Sequence, residues 1–475
     1  MTGIPHHAAR RLAASALALG LAACTLGPDY APPAAESRAG WQGRQTATDF
    51  AQIQDWWAAF HDAELDSLVK RAIDGNLDVK MAEQRIIEAR AQRQAAAAGY
   101  YPTLSAAGLG VAAGIPSAIG SPLGLSKLNF LQAGFDASWE IDLFGKTRRS
   151  VEAADANLGA TVEDRRAVLV SLLGDLGQNY ASLRAAQMRL AIARRNADAE
   201  SALVELTRSK QGSGLGSERD VAQAESQLAT LQAVIPQLET AIAQTGNAIA
   251  VLLGLEPGAL AAELSSPEAL PPTPPTLPAA LPSEVVRNRP DIRAAERQLA
   301  AANAQIGVAE AARYPSLTLN PQAALAGGSL HQMFSSAAAL WVAYASFKQP
   351  IFEGGKLDAN LQSAEAATEE ARLNYKKTVL TAFREVEDAL VAHEAEQRRH
   401  QRLVAAAEAS RRALERATSL YKAGLGDFLN VLEGERSFYA AEDAVAQSDQ
   451  ALTQATVALY KALGAGWQAG EAQAG

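Results

Sequence analysis

The chain has 475 residues, of which 48% are hydrophobic and 20% charged, and its 43 basic and 52 acidic side chains give a net charge of −9. A nucleic-acid-binding protein needs a concentrated basic surface to neutralise phosphates, so this balance argues against that class. Cys24 is the single cysteine, and the histidines are scattered or close to the N-terminus. No Cys/His group in the sequence has the spacing of a zinc, haem or iron–sulfur site, and we expect no metal and no diffusible cofactor.

The first 23 residues have the pattern of a secretory signal peptide. Arg10 and Arg11 precede an uncharged apolar run that is too short to span a bilayer as a permanent helix. The run ends in Leu-Ala-Ala directly before Cys24, which resembles the lipobox of bacterial lipoproteins, where the cysteine is lipidated and becomes the mature N-terminus. An ordinary core thiol is the alternative for Cys24.

The chain after Cys24 contains no apolar run of about 18 residues or more. We therefore expect that any bilayer crossing uses strands rather than helices. In the lipoprotein pattern, an aspartate after the cysteine tends to retain the protein in the inner membrane. Thr25 occupies that position, which favours the outer membrane.

The sequence contains an internal repeat. Residues 76–105 overlay without a gap on residues 289–318, at an offset of 213 residues. Further on, Gly214-Leu215-Gly216 overlays Gly424-Leu425-Gly426 at an offset of 210. The sequence therefore predicts two tandem halves that fold alike, each with a helix, a strand pair, a long helix, a glycine turn and a returning helix.

The first half carries its strand signal before its long helix. Apolar and polar residues alternate with a period of two from Leu131 to Leu143, and the run from Tyr101 to Gly114 completes a hairpin. Such strands are about long enough to cross a bilayer when tilted, although a soluble half-buried hairpin would show the same alternation. The stretch 146–212 then lacks proline and has apolar residues at helical spacing, which predicts one long helix.

A proline-rich segment, Ser265 to Pro282, separates the halves and cannot be helical, because proline lacks the amide donor. We interpret it as a crossover on the outside of a helical bundle, and a flexible linker between independent domains is the alternative. The second half has a predicted helix at 285–313, predicted strands at Tyr314–Leu325 and Leu340–Phe347, and a long helix at 356–423.

The predicted organisation follows from these elements. It comprises a signal peptide (1–23), a lipidated N-terminal segment (24–74), a first repeat (75–264, hairpin about 101–143), a crossover (265–284), a second repeat (285–464, hairpin about 314–352) and a C-terminal tail (465–475). Four strands cannot close into a barrel, and open strand edges are not tolerated in lipid. Several chains must therefore contribute to one barrel, and the strand number alone leaves two, three or four copies open.

The residues resemble the TolC-like family of outer membrane factors, in particular the lipoprotein branch that includes OprM and NodT. The resemblance rests on Cys24-Thr-Leu-Gly-Pro28-Asp29-Tyr30, Trp56-Trp57-x-x-Phe60, LPSEVVRNRPDIRAAE at 281–296, Tyr314-Pro315-Ser316-Leu317, and Tyr421-x-x-Gly424. It implies a mainly α protein with a membrane β-barrel, in which a homotrimer forms one 12-stranded barrel continuous with a long α-helical barrel. It also implies a periplasmic adaptor and an inner-membrane pump of the resistance-nodulation-division type as partners, and a lipid anchor in the outer membrane of a Gram-negative bacterium.

The resemblance also implies a gate in the helix after the second glycine turn. Glu433 takes the place of a gate aspartate, Arg436 that of its basic partner, Asn430 a second polar gate position and Tyr421 a tethering aromatic. Leu429 and Glu433 are four residues apart and share a helix face, so three copies would form an apolar ring beside an acidic one. A solvated helix face is the alternative interpretation of these acidic residues.

Three further residues belong to the same predicted region. Asp220 overlays Asn430 and is a weaker candidate for the constriction. Gly214 and Gly424 have the plain role of supplying positive φ at the ends of helices. In the family, these turns also form small-residue grooves for the adaptor.

Other classes of protein fit less well. We predict that the protein is not an enzyme, because the sequence shows no nucleophile–base set, phosphate-binding glycine loop or metal motif. A periplasmic adaptor is the main alternative, but it should carry one helical hairpin within β-rich modules. A structural coiled-coil lipoprotein would leave the alternating residues 131–143 unexplained.

Overall fold

The computed structural model describes residues 25–34, 40–41, 53–114, 127–266, 270–271 and 282–472. The signal peptide, Cys24, the loop after the first strand and most of the proline-rich crossover lie outside the described residues. Within the described ranges, no helix is both long enough and apolar enough to span a membrane.

The described residues are mainly helical. The helices are α1 (Ala63–Gly75), α2 (Leu77–Ala97), α3 (Lys146–Gly212), α4 (Glu218–Leu252), α5 (Pro282–Asn288), α6 (Pro290–Ala311), α7 (Leu330–Met333), α8 (Lys356–Lys422), α9 (Phe428–Ala462) and α10 (Ala469–Ala472). The strands are β1 (Thr103–Gly114), β2 (Lys127–Ile141), β3 (Ser316–Gly327) and β4 (Ala339–Lys348).

The predicted repeat is confirmed by the helices of the two halves. The long helices α3 and α8 each contain 67 residues, and the returning helices α4 and α9 each contain 35. Each long helix ends at a glycine turn that leads directly into its returning helix. The two halves therefore contain the same sequence of elements after their strands.

The second strand ends earlier than the alternation predicts. Strand β2 ends at Ile141, although the period of two continues to Leu143. The Asp142 carboxylate accepts hydrogen bonds from the backbone N–H groups of Thr147 at 3.2 Å and Arg148 at 2.9 Å. An aspartate that satisfies the free amides at a helix start competes with strand pairing, so Asp142 belongs to the start of α3 rather than to β2.

The helix predicted at 285–313 is two helices. Helix α5 ends at Asn288 and α6 begins at Pro290, with Arg289 between them. A residue before proline is disfavoured in the helical conformation, whereas proline is well suited to the first position of a helix. The break therefore follows directly from Pro290.

The four strands form one antiparallel sheet in the order β1-β2-β3-β4. Strands β1 and β2 pair as one hairpin, with Thr103 opposite Ser138, and β3 and β4 pair as the other. The central pair joins the two repeats, with Leu131 opposite Gly327.

The chain divides into two compact units that do not coincide with the two repeats. The sheet unit contains the described residues of Met1–Pro33, Arg85–Val162 and Ala294–Lys376. The helical unit contains the described residues of Ala34–Gln84, Glu163–Arg293 and Lys377–Gly475. Each unit takes segments from both repeats, because the two hairpins complete one sheet and the two helix pairs complete one core.

The C-terminal segment predicted as a tail packs within the helical unit as far as it is described. Trp467 is buried, and the guanidinium carbons of Arg166 and Arg293 lie 4.5 Å and 5.7 Å from its ring centroid. A guanidinium over an indole face is an attractive cation–π arrangement. Described residues after α9 therefore contribute to the core of the helical unit.

Candidate functional site

The two glycine turns have the same backbone geometry. Gly214 and Gly424 have φ values of 76° and 77°, which glycine adopts without the strain that a side chain brings. The N–H of Leu215 donates to the carbonyl of Lys210 at 2.8 Å, and that of Leu425 donates to the carbonyl of Leu420 at 2.9 Å. Both turns are thus Schellman motifs that end the long helices.

Each turn presents one apolar side chain to solvent, which the sequence interpretation missed. Leu215 and Leu425 are both 78% exposed. The signal was present in the sequence, because Gly-Leu-Gly occurs at both turns in equivalent positions. A pair of exposed leucines on rigid, sharply folded turns is suited to contact with another protein.

A buried apolar core lies next to the turns and contains residues from both repeats. Its members are Leu203, Val204, Ala224, Tyr421, Phe428, Val431 and Leu432, with Leu206, Leu228, Leu414 and Ala417 packed against them. These residues come from α3, α4, α8 and α9, so each helix pair completes the core of the other. The core fixes the helix in which the predicted gate residues lie.

Tyr421 lies in this core and is held by its ring and its carbonyl. The Lys210 ammonium lies 3.8 Å from the ring centroid of Tyr421 and donates a hydrogen bond to the Tyr421 carbonyl. The ring of Phe428 packs at 5.5 Å between centroids. The buried Tyr421 hydroxyl has no hydrogen-bond partner among the described residues. A tethering role for Tyr421 would therefore operate through its ring rather than its hydroxyl.

We expect Tyr421→Phe to leave the stability of the helical unit unchanged or slightly increased, because it removes a hydroxyl that is buried without a partner. Tyr421→Ala removes the whole ring and should destabilise the unit by about 3–5 kcal/mol, the range for large aromatic-to-alanine changes in cores. Urea unfolding of the detergent-solubilised protein measures both. A comparable loss in the two variants would contradict a role confined to the ring.

The predicted gate residues lie at the start of α9 on its exposed surface. The Asp427 carboxylate caps this helix by accepting from the N–H of Leu429 at 3.1 Å. Leu429 is 45% exposed, and Asn430 and Glu433 are also exposed. The structure thus brings Leu429, Asn430 and Glu433 together on a surface that the single chain leaves open.

Two other candidates have local partners. Arg436 donates from Nε to Oε1 of Gln227 at 3.1 Å, which links α9 to α4 rather than pairing with Glu433. Asp220 forms a capping box with Ser217, whose backbone N–H donates to the Asp220 carboxylate at 3.1 Å. Asp220 therefore has a structural task at the start of α4 in addition to its predicted place in the constriction.

A buried pair of carboxyl groups also lies in this region and was not predicted. Glu200 of α3 is 0% exposed and Glu435 of α9 is 5% exposed. Burial and the neighbouring Glu200 carboxylate raise the pKa of Glu435 to about 9, and burial also raises the pKa of Glu200. A sequence signal existed, since Glu435 continues the apolar spacing of Phe428, Val431 and Leu432 along α9. The described residues contain no group of three or more acidic, histidine or cysteine side chains that could hold a metal ion.

The strand register gives the sheet one apolar face and one more polar face, which contains both polar and apolar residues. Phe135 lies opposite Ala106 on β1 and Ala323 on β3, which in turn lies opposite Trp341. The same face carries Leu104, Leu131, Trp139, Ile141, Leu317, Leu319, Leu325 and Phe347. The other face carries all the strongly polar residues between Lys127 and Ile141 except Asn129, together with polar residues of β3 and β4, and also Leu109, Val111, Phe130, Leu340, Val342 and Tyr344. Several of the largest apolar side chains are exposed, including Phe135, Trp341 and Phe347. A continuous exposed apolar surface of this kind marks contact with a membrane or a partner.

These features can be compared with known proteins. A family model described as outer membrane efflux protein matches residues 68–255 and 281–465. The two matches cover more than half of the chain, with one in each repeat. The chain belongs to the outer membrane efflux protein family.

Individual relatives match almost the whole chain. Nodulation protein T of Rhizobium leguminosarum bv. viciae is 35% identical over 475 residues, which cover 97% of this chain and 94% of that protein. The pyoverdine export outer membrane protein OpmQ of Pseudomonas putida is 35% identical over 476 residues, covering 97% of this chain and 98% of OpmQ. The solved structure of the outer-membrane channel OprN superposes with a TM-score of 0.86 at 36% identity, covering 94% of this chain and 100% of that one.

The comparisons confirm the predicted family and fold class, a mainly helical TolC-like channel with two repeats. The protein is an outer membrane channel of an efflux system in a Gram-negative bacterium. The family consists of channel proteins rather than enzymes.

Proposed function

We propose that three copies of this chain form the exit duct of a tripartite pump, which carries small molecules across the periplasm and the outer membrane. The proposal is carried by two properties of the four-stranded sheet, its unpaired outer strands and its apolar face. Its outer strands β1 and β4 have no further strand partner in the described part of the chain, and one of its faces is apolar. Unpaired edges are costly in lipid, and three such sheets joined edge to edge would give a closed barrel of twelve strands.

The two faces of the sheet suit the two sides of such a barrel. The apolar face with Phe135 and Trp341 would contact lipid, and the polar face with Asp136 and Glu140 would line the lumen. A lipid on Cys24 would add an anchor in the same membrane. Removal of the predicted signal peptide leaves 41 basic and 52 acidic side chains, a net charge of −11 per chain, so the lumen of a trimer would favour cations.

The surface of Leu429, Asn430 and Glu433 is proposed as the gate. It is exposed in the single chain and lies on a helix fixed by the apolar core, so three copies arranged around one axis would bring it into a ring. The exposed Leu215 and Leu425, with the glycines beside them, are proposed as the docking turns for a periplasmic adaptor. The adaptor would connect the duct to an inner-membrane pump of the resistance-nodulation-division type, and release of the gate would require contacts that favour the open packing.

Single-channel recordings in planar bilayers test this function. We expect small, cation-selective steps from the wild type and larger or longer steps from Glu433→Ala, because that change removes three carboxylates from the proposed constriction. Glu415→Ala is the matched control, since Glu415 is an exposed glutamate of α8 that pairs with Arg411. Its recordings should match those of the wild type.

Three results would contradict the proposal or one of its parts. Well-folded protein that gives no conductance in any form would contradict the formation of an open duct by this chain. A channel that passes anions better than cations would contradict the proposed cation selectivity of the lumen. Equal changes in Glu433→Ala and Glu415→Ala would place the gate elsewhere.

A further inference from the structure

Glu200 and Glu435 can bond to each other only through a proton. Their carboxyl groups lie within hydrogen-bonding reach of each other. Both oxygens of Glu200 and Oε2 of Glu435 are buried and receive no hydrogen bond from another group in the described part of the chain. An ionised carboxylate only accepts hydrogen bonds, so two of them repel each other, whereas one proton between them supplies a donor.

The groups that face the pair compensate its charge only in part. Arg436, the next residue of α9, attracts the Glu200 carboxylate, but it is exposed and its Nε is engaged by Gln227 of α4. Tyr439 lies one turn further along α9, and burial together with the two carboxyl groups raises its pKa. Helix α8 contributes apolar residues to the adjoining core.

Glu435 lies next to the proposed gate and has a different environment from its counterpart in the first repeat. In the sequence overlay it corresponds to Glu225 of α4, which pairs at 2.6 Å with Arg208 of α3 at the surface of the first repeat's helix pair. Glu435 instead contacts the first repeat through Glu200 of α3. It lies two residues after Glu433 on the same helix. A change in the pair therefore acts on the helix that carries the proposed gate.

We propose that Glu200 and Glu435 form a proton-operated clamp that holds α3 against α9 and keeps the gate closed. With one shared proton, the pair is a carboxyl–carboxylate hydrogen bond with a single negative charge. When hydroxide or water removes this proton, two buried carboxylates remain without a donor between them and the helices separate. The link to the gate rests on the proposed function above.

The direction of the pH dependence follows from the raised pKa of Glu435. The folded protein holds its proton up to about pH 9, whereas an unfolded glutamate releases it near pH 4.5. The folded state therefore binds more protons at this pair between these values, so the stability that the pair contributes is greatest at low pH and decreases as the pH rises towards 9. For one proton, the unfolding equilibrium constant increases up to about tenfold per pH unit in this window.

Infrared titration of the full-length protein in detergent detects the proton directly. We expect the carbonyl stretch of a protonated carboxylic acid at pH 7, lost as the pH passes about 9. The band should be absent from the double variant Glu200→Gln/Glu435→Gln. Glu205→Gln is the matched control, because Glu205 is an exposed glutamate of the same helix as Glu200 and should leave the band unchanged.

Conductance at a series of pH values tests the link to the gate. The open probability of the wild type should increase through the same pH range, while Glu435→Gln should remain constant, because glutamine keeps a hydrogen-bond donor at every pH. The midpoint of thermal unfolding should decrease over this range in the wild type only.

The outcomes separate the clamp from the channel. Absence of the infrared band at pH 7 from folded protein overturns the clamp, whether or not the protein conducts. Conductance with the same pH dependence in wild type and Glu435→Gln also overturns it, while leaving the duct intact. Absence of conductance in every variant would instead contradict the proposed function.

Discussion

Phe135→Arg is expected to prevent assembly of the protein in the outer membrane. Phe135 lies near the middle of β2, on the apolar face of the sheet, and is 59% exposed in the single chain. An arginine on the lipid face of a barrel costs about 2–4 kcal/mol near the middle of the bilayer. In a trimer this cost would arise three times. The total would be a large part of the free energy of unfolding of most folded proteins.

The measurement is the amount of folded protein in outer membrane fractions, together with its urea unfolding midpoint in detergent. Gln132→Arg is the matched control, because Gln132 lies in the same strand on the polar face, opposite Leu109 and Ala326. It should assemble normally, since a lumen substitution changes selectivity more than stability. Normal assembly of Phe135→Arg would show that the apolar face does not contact lipid.

Arg289→Ala is expected to destabilise the helical unit by about 3 kcal/mol, near the lower end of the range for a broken buried ion pair. The Arg289 guanidinium is buried and donates to both oxygens of Asp291 at 3.0 Å and 2.7 Å. It also donates to Glu385 at 2.8 Å and to the carbonyl of Ala462 at 2.6 Å. The side chains of Asp291 and Glu385 are 39% and 40% exposed, so water moderates the cost of leaving them unpaired.

Thermal or urea unfolding followed by circular dichroism measures this loss. Arg287→Ala is the control, because Arg287 is an exposed arginine two residues earlier whose Nε only donates to the carbonyl of Ser283 at 3.3 Å. That variant should remain within about 0.5 kcal/mol of the wild type. Arg289→Lys should show an intermediate loss, since one ammonium cannot reproduce the planar donor set of guanidinium. Equal stability of the two alanine variants would contradict the bridging role of Arg289.

Much of the fold could be predicted from the sequence, because local rules decide the long elements. The absence of proline and the apolar spacing in 146–212 predicted α3 with the observed bounds, and Gly214 and Gly424 marked the turns. The period of two predicted the strands to within a few residues. Predictions failed where two local rules competed, as at Asp142, where capping of α3 ends β2, and at Arg289, where Pro290 starts a new helix.

For the candidate site, the sequence by itself determined the repeat, the turns and the order of residues along α9. Only the tertiary structure showed that Glu200 and Glu435, which are 235 positions apart, meet in the core, and that Arg436 bonds to Gln227. It also showed that the compact units combine segments of both repeats. The physical reason is that helical and strand periodicities depend on neighbours a few residues apart. The burial of a charge depends on which distant helices pack around it, and that information is absent from any local pattern.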